Sequence, residues 1–151
     1  MTDPFHFIKK AYIEDNPSLA ASDEAVESWT KLADLVQAEL TRLGLPASII
    51  TRDSPIGPNP PGALIFIDDR QPFGVTVRWN AAATSSPAYR EKLVAQDHSD
   101  PLLRYMRTAS DMINHTIYAI LKEAGFHTLV DNDEHNSYIY RVLSAPRYPL
   151  N

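Results

Sequence analysis

Two stretches of this chain repeat apolar residues every three or four positions, and any fold it adopts must bury both stripes. Val26, Trp29, Ala33, Val36, Leu40 and Leu43 form the first. Leu102, Met106, Ala109, Ile113, Ile117, Ile120 and Ala124 form the second. That spacing predicts amphipathic helices over about 23–43 and 101–124. Ser22 is placed to cap the first, and Asp23, Glu24 and Glu27 suit the positive end of its dipole. Gly44 and Pro46 stop it. Asp100-Pro101 starts the second with a cap and a proline at the first helical position, and Gly125 closes it.

Two shorter helices carry the same punctuation. Asp3-Pro4 opens a segment over 4–13 that is rich in Phe5, Phe7, Ile8, Tyr12 and Ile13, ended by Asn16-Pro17. It reads as an arm, either docked on its own domain or offered to a partner. Ser86-Pro87 starts another helix through about Ala95.

Between the long helices the pattern changes period. Ser48 to Arg52 is rich in β-branched residues. Ala63 to Asp68 is apolar at successive positions, as in a central strand. Phe73, Val75, Val77 and Trp79 alternate with smaller or polar residues, as in a half-buried strand. The segment 54–62 holds four prolines and can be neither helix nor sheet ladder, so it forms a long surface loop. It reads as an ordinary connection or as a proline-rich ligand for a partner. After the second long helix, Phe126 to Val130 and Ser137 to Leu143 read as a hairpin with its turn at 131–136, and 144–151 as an extended tail. The expected architecture is a single α+β domain over 1–151. It is a two-layer sandwich of about five mostly antiparallel strands, a three-strand meander plus a C-terminal hairpin, covered by two long helices. Either the first or the third strand is expected beside the last hairpin.

Several function classes are excluded by composition. None of the 151 residues is Cys, which removes disulfides, thiolate metal sites and thiol nucleophiles. The net charge of −5 and the lack of any basic cluster beyond Lys9-Lys10 argue against nucleic acid and anionic membranes as partners. The start, Met1-Thr2-Asp3-Pro4, has no signal-peptide pattern, and apolar runs such as Ala63 to Ile67 are far too short to span a bilayer. A cytoplasmic protein is expected. There is no phosphate loop and no nucleophile elbow.

What chemistry the chain could hold lies in its acidic turns. Asp68-Asp69 follows the central strand, and paired carboxylates there could hold a metal or share a proton. Asp131, Asp133 and His135 lie in the last turn; their start resembles a calcium loop, but Asn136 and Val142 stand where that loop needs Gly and Glu. Turn formation explains both groups without a ligand. Asp111, His115, Tyr118 and Lys122 share the face of the second long helix opposite its apolar stripe, and read as its wet side or as an Asp–His pair for metal or base chemistry. His98 and His127 have no sequence partner. No metal and no cofactor is expected.

The order helix, three strands, helix, two strands over about 22–143 resembles that of the small dimeric chaperones that serve bacterial secretion systems. That resemblance implies a protein-binding, dimer-forming subunit; the chain carries no clear final helix of that kind. The first expectation is therefore a non-enzymatic protein-binding module: an adaptor, a secretion-chaperone-like subunit or an inhibitor of a partner, of the sort phages and mobile elements encode. Phe5, Phe7, Tyr12, Trp79, Tyr138 and Tyr140 are the candidate contacts, because aromatic side chains dominate interface energetics. Another protein or a second copy of the chain is the expected partner. The alternative is a small metal-assisted hydrolase or ligand-binding enzyme in which Asp68, Asp69, Asp131, Asp133 and His135 converge.

Overall fold

The computed structural model describes residues 2–95, 99–132 and 138–150. Its order is α1 (Pro4–Ile13), α2 (Asp23–Arg42), β1 (Ala47–Ile50), β2 (Gly62–Asp68), β3 (Gly74–Asn80), α3 (Pro87–Val94), α4 (Pro101–Glu123), β4 (His127–Asn132) and β5 (Tyr138–Ser144), with a short 3₁₀ turn at Ala82–Ser85. The capping logic of the sequence is realised at each helix. Asp3, Ser22, Ser86 and Asp100 accept from the backbone N–H groups of Phe5, Ala25, Tyr89 and Leu102 at 2.9, 3.2, 3.2 and 2.8 Å. Each side-chain oxygen satisfies a donor that the first helical turn leaves open.

The strands form one sheet in the order β1-β2-β3-β5-β4. β2 and β3 are an antiparallel hairpin in register Ile65↔Val77 and Ile67↔Val75. β3 pairs antiparallel with β5 through Val75↔Val142 and Thr76↔Arg141. Of the two joins the sequence left open, the third strand makes it. The expected meander is corrected at its first step, because β1 runs parallel to β2, with Ala47↔Ala63 and Ile49↔Ile65 in register. A parallel pair needs a connection long enough to carry the chain back along the strand. The proline-rich segment 51–61 does this without a helix. The sheet is therefore mixed. A second boundary also moves: β4 runs to Asn132, so Asp131 is a strand residue rather than part of a turn.

One side of the sheet carries the core. Ala63, Ile65 and Ile67 of β2, Val75 and Val77 of β3, and Val142 of β5 share a cluster with Trp29, Leu32, Val36 and Leu40 of α2 and with Ile117 and Leu121 of α4. Burying each valine, leucine or isoleucine among them contributes about 1.5–3 kcal/mol. α1 belongs to the same cluster through Phe7 and Ala11. The Phe7 ring stands edge-on to Trp29 at 5.7 Å and lies 5.7 Å from Phe73. The Trp29 indole N–H donates to the Thr2 carbonyl at 3.0 Å, which ties the segment before α1 to α2.

Candidate functional site

The strand pleat places Thr76 and Arg141 on the sheet side opposite that core, directly across from one another. Arg141 is only 2% exposed. Its Nη1 donates to the Phe73 carbonyl at 2.6 Å, and its Nε lies 3.7 Å from Asp131 Oδ2. The Phe5 ring of α1 lies over the guanidinium at 5.4 Å, a cation–π contact. Gly74 gives the start of α1 its room beside this side chain. A Cβ there would stand 4.0 Å from Arg141 Nη1 and 2.9 Å from Pro4 Cβ, and the backbone at Gly74 has φ +88°. Glycine thus lets Pro4 at the start of α1 close on the strand, while Arg141 stays at ordinary contact distance.

Asp68 completes this group. Burial pushes its carboxyl up to about 6; Arg141 opposes the rise and neighbouring Asp69 adds to it. Burial lowers the affinity of Arg141 for its proton, while Asp131 and then Asp68 hold it charged. A buried guanidinium flanked by two carboxylates is a structural charge network, since each carboxylate offsets the cost of dehydrating the arginine. Asp69 goes elsewhere. Its side chain pairs with Arg52 at 3.4 Å, and its carbonyl accepts from the Ala21 N–H at 2.7 Å. The sequence places the two acids side by side, and the fold points them at different arginines.

Nothing in the sequence pattern marks Arg141 as more than one polar position in an alternating strand. The available signal was its isolation, a single charge within Tyr138-Ile139-Tyr140-Arg141-Val142-Leu143. Asp133, His135, His98 and the side chain of Tyr138 lie outside the described residues. Among the described residues, no three His, Asp or Glu side chains gather as a metal would require.

The helix-face reading of Asp111, His115, Tyr118 and Lys122 divides. Asp111, His115 and Lys122 are exposed. Tyr118 is buried, which corrects its place on the wet side: its hydroxyl donates to the Arg141 carbonyl at 2.7 Å. Burial lifts its phenol to about 12, so it stays a donor at neutral pH. Tyr140, also buried, stands between the rings of Tyr118 at 5.2 Å and His115 at 5.5 Å. This aromatic row pins α4 to β5.

The candidate contact residues separate in the same way. Phe7 and Tyr140 are buried, Phe5 and Trp79 are half-buried, and Tyr12 is 86% exposed. The most exposed large apolar residue was not among them. Ile56 is fully solvent-accessible at 107%, in the proline-rich loop between Pro55 and Gly57. The base of the loop is fastened. Ser54 Oγ accepts from the Thr51 N–H at 2.8 Å. The Asn80 side-chain amide donates to the carbonyls of Asn59 and Pro60 at 3.1 and 2.9 Å. The Ala63 N–H donates to the Pro46 carbonyl at 2.8 Å. Prolines 55, 58, 60 and 61 fix φ at four of the intervening positions.

Among the described residues, no helix is long and apolar enough to cross a membrane. No family model, curated protein or solved structure matches this chain.

Proposed function

We propose that the chain is a non-enzymatic protein-binding module, an adaptor or inhibitor that engages another protein through the 51–61 loop. The observation that carries the reading is Ile56: a large apolar side chain wholly in water, on a loop stiffened by prolines and fastened at its base. Leaving such a side chain exposed forgoes burial energy, and a partner pocket would recover it. Rigidity adds affinity because less conformational freedom is lost on binding. Tyr12, at the exposed end of α1, is a second candidate contact. Of the carboxylates on which a hydrolase would depend, the three among the described residues favour the same reading, since Asp68 and Asp131 flank buried Arg141 and Asp69 pairs with Arg52. In this reading the scaffold is one two-layer α+β domain that works in the cytoplasm.

The test is quantitative affinity purification from the source cell with the wild-type chain, Ile56→Asp and Tyr12→Ala. One protein should be enriched by wild type, confirmed with purified components, and bound at least tenfold more weakly by Ile56→Asp. Equal affinity for wild type and Ile56→Asp would remove the loop from the account.

A further inference from the structure

The outward face of α4 carries a pattern that fits a second copy of itself. Tyr105 and Met112 lie two turns apart on that face and are 66% and 65% exposed. Pro101, Arg104, Tyr105 and Thr108 border a shallow, open surface hollow. These are positions i, i+3, i+4 and i+7, the four-residue hole into which a facing helix inserts one side chain. Met112 stands one turn beyond Thr108 as the exposed knob, and its unbranched thioether adapts to irregular hollows.

We propose that the chain forms a two-fold homodimer through antiparallel packing of α4, with the axis beside Thr108. Knob and hole lie one turn to either side of that point. An antiparallel partner therefore brings its Met112 over the Pro101/Arg104/Tyr105/Thr108 hollow, and the symmetry makes the contact twice. The charges agree with the same axis. Arg104 and Asp111 are seven residues apart on one flank of α4, both exposed, and neither has an ion pair within the chain among the described residues. Antiparallel pairing about Thr108 sets Arg104 of each copy level with Asp111 of the other. In a parallel pairing the two copies of this flank would lie on opposite sides of the seam, and Arg104 would not meet Asp111. This reading goes beyond the loop-binding proposal and stands independently of it. A two-fold dimer would also present two Ile56 loops.

Sedimentation equilibrium on the full chain tests it. Wild type should dimerise at micromolar concentration. Arg104→Asp and Asp111→Arg should each weaken the dimer at least tenfold, and the double swap should return it to within about threefold of wild type. Met112→Glu should leave a folded monomer, checked by circular dichroism. Because the chain has no native cysteine, Thr108→Cys offers a direct probe: it should oxidise to a covalent dimer, and Leu129→Cys on the edge strand should not. A wild type that stays monomeric, a dimer indifferent to Met112→Glu, or cross-linking through Leu129→Cys instead of Thr108→Cys would each overturn the proposal.

Discussion

Gly74→Ala separates backbone strain from the contact that seats α1. Gly44 and Gly74 have nearly the same φ, +82° and +88°. An L-residue in that region costs about 1–2 kcal/mol wherever it sits. Their surroundings differ. A Cβ on Gly44 meets nothing within 4 Å, whereas one on Gly74 falls 2.9 Å from Pro4 Cβ and 3.2 Å from Pro4 Cγ. Ordinary carbon contacts sit near 3.5–4.0 Å, so α1 must retreat by roughly half an ångström or more. Overpacking of this kind costs about 1–3 kcal/mol. Gly44→Ala should therefore lose about 1–2 kcal/mol and Gly74→Ala about 2–5 kcal/mol, additive with strain. Urea unfolding followed by circular dichroism is a suitable assay, because it follows the whole fold rather than the mixed emission of Trp29 and Trp79. Repeating Gly74→Ala on a Pro4→Gly background removes the opposing carbons. The cost should fall to that of Gly44→Ala, and the cycle should show a coupling of at least about 1 kcal/mol. Equal losses at the two glycines, or no coupling to Pro4→Gly, would refute the argument that α1 is seated on this strand.

Two further outcomes follow from the same geometry. Asp68 has its carboxyl raised from 3.8 to about 6 by burial, so the folded state holds the proton more tightly than the unfolded chain does. Its contribution is therefore most favourable below pH 4 and is lost as pH rises through 6. The shift would amount to about 3 kcal/mol unscreened, and partial solvent access reduces it to roughly 1–2 kcal/mol. Asp68→Asn should stabilise the chain by about that amount near pH 8 and change little near pH 4, measured by urea midpoints; a variant destabilised at both pH values would reverse the sign argument. Within α1, Phe7→Ala should cost about 3–5 kcal/mol by opening a core cavity, and Tyr12→Ala less than about 0.5 kcal/mol. Thermal unfolding of the two variants checks this, and comparable losses would show that the arm's outer ring is also structural.

Local rules made the helices legible. The stripes of α2 and α4, the caps at Asp3, Ser22, Ser86 and Asp100, and the stops at Gly44 and Gly125 act within one or two turns, so a linear reading contains them. The alternation of β3 gave the side that faces the core for the same reason, but its expected half-burial is corrected, because Gly74 to Val77 is buried at every position. The placement of α1 against Trp29 and Phe73 was open from sequence, because its aromatics would serve a core or a partner equally well.

Tertiary structure alone decided the rest. Whether β1 runs with or against β2 depends on the path of the 51–61 loop, and a run of prolines excludes regular structure without specifying direction. Arg141 lies next to Asp131 and Asp68 because β5 inserts between β3 and β4, a pairing across more than sixty positions from Thr76 that no local period encodes. Tyr118 turned inward because β5 offered a carbonyl at 2.7 Å, and a buried hydroxyl needs a partner that only the assembled sheet can supply. Sequence periodicity determines which side of an element seeks the interior. Which groups meet there is set by strand order, and strand order is a property of the closed chain.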